Sequence, residues 1–152
     1  MTIMADKTIR QTIEIEAPAQ AVFDALTQPD QLVSWWNDER GHAIDAMESD
    51  LRVGGAWRID GHKSDGSKLW MRGEYTRIEP PALVEFTWNY HWAPEGAPPT
   101  LVRFDLVERD GKTTLTLTHG GFVDDEGYED HNEGWSEIVL PLLQAWFAKR
   151  QA

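Results

Sequence analysis

The sequence predicts an α+β domain in which a curved antiparallel β-sheet wraps round one long C-terminal helix, with two short helices after the first strand. Three observations predict it: apolar residues alternate with polar ones in a series of segments separated by turn residues, two short helical patterns directly follow the first of these segments, and an amphipathic stripe closes the chain. The first segment runs from about Thr8 to Glu16, with Ile9, Ile13 and Ile15 on one face and Arg10, Thr12, Glu14 and Glu16 on the other. Ala17-Pro18 ends it, and Pro18 suits the first turn of a helix carrying Val22, Phe23 and Leu26. A second short helix starts at Pro29-Asp30 and carries Leu32, Val33, Trp35 and Trp36.

Strand patterns then follow one another. Ala43–Met47 is the weakest, Gly54-Gly55 marks a break or bulge, and Ala56–Gly61 sets Trp57 and Ile59 on one face. Ser64-Asp65-Gly66-Ser67 is a turn, since Gly accepts positive φ freely and Asp tolerates it. Leu69–Ile78 ends at Glu79-Pro80-Pro81. Val84, Phe86, Trp88 and Tyr90 alternate with Glu85, Thr87 and Asn89, and the proline-rich segment from His91 to Thr100 is a loop. Val102, Phe104 and Leu106 lead through the Asp110-Gly111 hairpin turn to Leu115 and Leu117. Tight turns between strands imply an antiparallel meander.

From about Tyr128 the periodicity changes. Trp135, Ile138, Val139, Leu142, Leu143, Trp146 and Phe147 form an unbroken stripe at helical spacing, with acidic residues at its start and Lys149 and Arg150 at its end, both favourable to the helix dipole. Pro141 falls on the opposite face. A bend there, with the carbonyl of Glu137 left to water, is the expected result.

Composition narrows the function. The 152 residues suit one domain, placed at residues 8–150, with enough chain for a core. A net charge of −12 disfavours nucleic acid and anionic membrane surfaces. Without cysteine there is no disulfide, thiolate nucleophile or Cys-based zinc site. Neither a signal-peptide h-region nor an apolar run long enough for a membrane span is found, so the expected setting is the cytoplasm. None of the five serines lies in G-x-S-x-G, and Gly54-Gly55 is followed by Ala56-Trp57, not by a phosphate-loop Gly-Lys. An EF-hand with Gly127 at its sixth place would begin at Phe122, which offers no oxygen.

A set of motifs carries a family resemblance. Ile13-Glu14-Ile15-Glu16-Ala17-Pro18 with Val22-Phe23-Asp24-Ala25-Leu26-Thr27 opens it, and Pro29-x-x-Leu32-x-x-Trp35-Trp36 follows. Gly54-Gly55-x-Trp57-Arg58, Gly73-Glu74-Tyr75, Leu83-Val84-Glu85-Phe86-Thr87-Trp88, Thr116-Leu117-Thr118-His119-x-Gly121-Phe122 and Gly134-Trp135 complete it. In this order they resemble the heat-shock-protein-90 ATPase activator homologue family (Aha-type C-terminal domain) of the START-like SRPBCC superfamily, over about residues 8 to 150. The resemblance implies the helix-grip fold and a pocket between sheet and long helix that takes apolar molecules, in some members for cyclisation or dehydration. The eukaryotic namesake stimulates a chaperone alongside a separate chaperone-binding domain, and this chain is read as the stand-alone type.

The 8 tryptophans are the main chemical feature. Trp57, Trp70, Trp88, Phe104, His119, Trp135 and Val139 are the candidate ligand-binding residues, because the elements that carry them must face one another in this fold. The same rings could instead fill the core. Trp35 and Trp36 end the second helix, and adjacent helical residues diverge by about 100°, so at most one is expected to face inward fully. His119 is in phase with Leu115 and Leu117; it is either an acid–base group or a histidine fixing the turn into the long helix. With Arg72 and Glu74 it makes up the catalytic candidates, although no catalytic set is assigned. An inward Arg58, Arg72 or Arg103 would recognise a ligand carboxylate or phenolate. Metal binding would need His119, His131 and Glu133 to converge; neither a metal nor a cofactor is expected.

Three functions follow as expectations. The first is binding of a small apolar or aromatic molecule by a monomer or homodimer, with no nucleic-acid or membrane partner. The second is a cyclase- or dehydratase-like enzyme using the same pocket. The third is a chaperone-activator-like interaction domain with an exposed patch at Trp35-Trp36.

Overall fold

The computed structural model describes residues 7–38 and 41–150. Seven strands form one antiparallel sheet: β1 (Ile9–Ile15), β2 (His42–Ser49), β3 (Ala56–Lys63), β4 (Lys68–Glu79), β5 (Leu83–Tyr90), β6 (Thr100–Arg109) and β7 (Lys112–Gly120). Their order is β1-β7-β6-β5-β4-β3-β2, so the expected meander is closed at one side by the first strand pairing with the last. Helices α1 (Ala19–Thr27) and α2 (Pro29–Trp35) follow β1, as the sequence predicts. The C-terminal rod packs on the sheet as α3 (Asp125–Gly134), a π-helical turn (Trp135–Val139) and α4 (Leu140–Arg150). Among the described residues no helix is long and apolar enough to cross a membrane.

Alternation places one side of every strand in the core. Ile59, Met71, Val84, Val102, Leu115 and Leu117 are all buried on that inner side, while Arg58, Asp60, Arg103 and Asp105 lie between buried neighbours on the outer side. Asp110 (φ 54) and Gly111 (φ 78) form the β6–β7 turn in the left-handed conformation that matches strand twist. The faint period in β2 has a physical cause: the β2–β3 register shifts between Ile44 and Ala46, and this bulge moves the inward positions from Ile44 to Met47.

The rod departs from the expected continuous helix. It starts earlier, at Asp125, with the Asp124 carboxylate accepting from the Gly127 N–H at 2.9 Å. Its buried positions are Gly127, His131, Trp135 and Val139 upstream and Leu140, Leu143 and Phe147 downstream, two stripes that meet at adjacent residues. In an uninterrupted α-helix Leu140 would point about 140° away from Trp135. The Leu140 N–H instead donates to the Trp135 carbonyl, five residues back, and this wide turn brings Leu140 over the core, where it is 2% exposed. Pro141, exposed and without an N–H, sits just after the turn, so the distortion spreads into a change of register. Side chains pin the rod to β1: Gln11 donates to the Asn132 carbonyl at 2.9 Å, and Gln144 donates to the Glu14 carbonyl at 2.9 Å.

The register change gives a mutational test. Leu140→Ala and Leu143→Ala should each destabilise the domain by about 3 kcal/mol, and Leu142→Ala, at a half-buried site, by about 1 kcal/mol. Urea unfolding of the three variants reads the order, and a mild effect at Leu140 would restore the straight helix.

Candidate functional site

The centre of the inner face is built from β5, β6, β7 and the rod. Trp88 lies within 5.4–5.6 Å (ring centroids) of Trp57, His119 and Trp135. Its indole N–H donates to His131 Nε2 at 3.1 Å, and His131 Nδ1–H donates to the Gly127 carbonyl at 2.8 Å. Trp135 Nε1–H donates to His119 Nδ1 at 3.1 Å, which places the His119 proton on Nε2, directed at Thr100 Oγ1 at 2.8 Å. The Thr100 hydroxyl in turn donates to the Trp88 carbonyl at 2.8 Å. Every nitrogen of both imidazoles is thus engaged, in one defined tautomer each.

Burial keeps both rings neutral. Burial lowers His131 to a pKa of about 4, against its hydrogen bond to Gly127, and burial with the facing His131 holds His119 well below the ordinary histidine value. His119 is 0% exposed and lines neither interior cavity. Its ring anchors the turn into the rod through Trp135. The His119 and His131 rings lie 5.1 Å apart, edge to face, with their nitrogens committed to these bonds.

Among the described residues the inner side holds two small cavities in place of one wide hollow. One, of about 40 Å³, lies between α2 and the sheet, walled by Trp35, Trp36, Trp57, Trp88, Phe104 and Trp135 among others. The other, of about 60 Å³, lies beside the rod, and its walls include Trp36, His42, Met71, Trp88, Trp135 and Val139. Trp36, Trp88 and Trp135 are common to both. Of the ligand-binding residues expected from the sequence, Trp57, Trp88, Phe104, Trp135 and Val139 therefore come together at the cavities.

Trp70, Arg72 and Glu74 do not. Trp70 stands on the outer face beneath the guanidinium groups of Arg72 and Arg58, at 4.8 and 5.5 Å from its ring. Arg72 and Glu74 line an open groove on that outer face, together with Glu48 and Asn89. Arg58 and Arg103 are outward as well, each paired in two-point contact with the Asp two residues on, all at 2.9 Å. Period-two phase would have assigned Trp70 outward, since Leu69 and Met71 are the buried neighbours.

Trp35 and Trp36 are both buried, at 4% exposure, against the expectation that only one could be. The reason is local: Trp36 leaves the helix with φ −86 and ψ 75, so the two rings are no longer 100° apart and stack at 5.8 Å. Trp35 Nε1–H donates to the Ala25 carbonyl at 2.7 Å. Among the described residues, Trp36 Nε1 and His42 Nδ1 are the buried side-chain polar atoms without a hydrogen-bond partner. His42 had no signal in sequence; its place at the cavity follows from the bridge between Asn37 and Ala43, which the sequence pattern does not show.

The pattern of the "Activator of Hsp90 ATPase homolog 1-like protein" family matches residues 16–147. The chain belongs to this family. Among solved structures it is similar to protein CV1439 from Chromobacterium violaceum, at 26% identity and TM-score 0.81 over 93% of this chain and 96% of that one. It is also similar to the AHSA1 (SPO3351) protein from Silicibacter pomeroyi, at 28% identity and TM-score 0.77 over 94% and 99%. PFC0360w, an HSP90 activator from Plasmodium falciparum, shares the fold at 22% identity and TM-score 0.70 over 93% and 96%. No curated protein matches.

The neutral histidines set a pH dependence. Unfolded imidazoles bind a proton near pH 6.5, but His131 in the fold does so only near pH 4, and burial holds His119 well below the ordinary value too. The unfolded state binds more protons in that window, so stability is complete above about pH 7 and falls as pH drops. The His131 contribution reaches roughly 3 kcal/mol by pH 4. Urea unfolding of the wild type and His131→Gln between pH 8 and pH 4.5 should show a shallower slope in the variant, and equal slopes would contradict the assignment.

Proposed function

We propose that this domain binds a small, flat apolar or aromatic molecule between the sheet, α2 and the rod. The observation that carries the reading is the pair of cavities that share the walls Trp36, Trp88 and Trp135, the walls of the first being almost wholly apolar. Neither cavity alone holds an aromatic molecule, since a cavity of about 150 Å³ is the size that takes benzene. An outward shift of α2 enlarges this space with Trp36 still in its wall; α2 is only seven residues long, and the indole N–H of its capping residue makes no hydrogen bond to the protein. Binding then couples to a movement of α2, with Trp57, Trp88 and Trp135 supplying flat walls and apolar burial of about 25 cal/mol per Å².

The family description and the Plasmodium relative suggest activation of a chaperone ATPase as the alternative. The exposed patch that this reading requires at Trp35-Trp36 is buried. A cyclase- or dehydratase-type reading finds Arg72 and Glu74 on the opposite face of the sheet from both cavities.

Naphthalene and biphenyl are suitable probes. At about ten times its Kd, either should stabilise the domain by about 1.4 kcal/mol and raise the melting temperature by about 4 °C, with quenching of tryptophan fluorescence. Trp36→Ala, which removes one of the shared walls, should lower stability by about 3–5 kcal/mol and bind naphthalene more tightly than the wild type. No stabilisation of either protein by either probe would overturn the proposal.

A further inference from the structure

The polar atoms of the second cavity specify more than an apolar guest. The Trp36 carbonyl accepts from the Ile44 N–H at 2.9 Å, the Asp38 N–H donates to the His42 carbonyl at 3.0 Å, and Asn37 pairs antiparallel with Ala43 between them. This short ladder puts Trp36 and His42 on one face, a diagonal step apart, a spacing over which aromatic side chains still reach each other. Both line the second cavity. Trp36 is more than nine-tenths buried, at 4% exposure, and its indole nitrogen can only donate. His42 is held neutral by burial and by the nearby Lys63, against Asp38, and a neutral ring nitrogen can accept a hydrogen bond.

The contrast with the neighbouring tryptophans is informative. The indole N–H groups of Trp35, Trp57, Trp88 and Trp135 all reach protein acceptors. A buried donor and a buried ring nitrogen left over on two residues that line one cavity are costly in an apolar interior unless a third group serves them.

We infer that the ligand is a hydroxyl-bearing aromatic, a phenol-type molecule whose oxygen accepts from Trp36 Nε1–H and donates to His42 Nδ1. A hydroxyl is the smallest neutral group that does both. A carboxylate does not fit: it cannot donate to His42, Lys and Arg are missing from the cavity lining, Asp130 is part of it, and the chain carries a net charge of −12. A plain hydrocarbon leaves both nitrogens unserved. The inference rests on the proposed use of the interior as a ligand site and names the chemistry of its occupant.

The test compares naphthalene with 2-naphthol, the same ring system with and without a hydroxyl, by titration calorimetry or tryptophan fluorescence at pH 7.5. 2-Naphthol should bind the wild type about tenfold more tightly than naphthalene. In Trp36→Phe or His42→Phe that advantage should shrink to less than about threefold, while naphthalene still binds. His42 is the less buried of the two, so H42F carries the comparison where W36F does not fold. Equal affinities in the wild type, or an advantage that survives in both variants, would overturn the hydroxyl and leave the apolar ligand site standing. Binding of neither probe would overturn both.

Discussion

The hydrogen bond from the Trp88 indole to a buried, uncharged His131 is the constraint on which the interior depends. It ties the middle of β5 to α3, and it exists only while His131 presents a bare Nε2. The same tryptophan is joined through its carbonyl to Thr100, then to His119, then to Trp135. Two strands, the loop-proximal end of β7 and the rod are thereby held by a chain of neutral donors and acceptors inside an aromatic cluster. Neutral groups suit this place because burial penalises a charge there, and for His131 this outweighs the nearby Asp130. The chain's acidic surface and its uncharged interior network are therefore separate matters.

This arrangement also explains why the interior is mostly filled. Trp57, Trp88 and Trp135 lean on one another at tilted angles, and Phe86 and Phe104 close the remaining sides. Indole hydrogen bonds fix Trp57, Trp88 and Trp135, and on the α2 side Trp35 as well. Trp36 is the exception there, buried without a partner for its N–H.

Much of the fold was legible in the sequence. Alternation in β5, β6 and β7 gave the inner face directly, down to Trp88, Phe104 and His119, and the Asp110-Gly111 turn has the conformation its residues favour. The family resemblance and the strand order agree with the family match and the observed topology. What was not legible depended on breaks in periodicity. The bulge in β2 masked its inward residues, and the π-helical turn brought in Leu140, which simple helical spacing leaves off the stripe. At the cavities, the tryptophans on strands were placed correctly where phase was clear, but Trp70 was drawn inward by its residue type when its neighbours Leu69 and Met71 are the buried ones. His42 was invisible because its role comes from a single bridge, Asn37 with Ala43, and from a missing partner for one nitrogen. Orphaned atoms have no sequence signal.

The most direct measurement follows the indole N–H resonances of the eight tryptophans by ¹⁵N-correlated NMR as 2-naphthol is added. Ring-current shifts should move Trp36, Trp57, Trp88 and Trp135 strongly and leave Trp70, on the outer face, and Trp146, beneath Arg150, in place. Shifts confined to Trp70, or no shifts at saturating probe, would contradict a ligand held between the sheet and the rod.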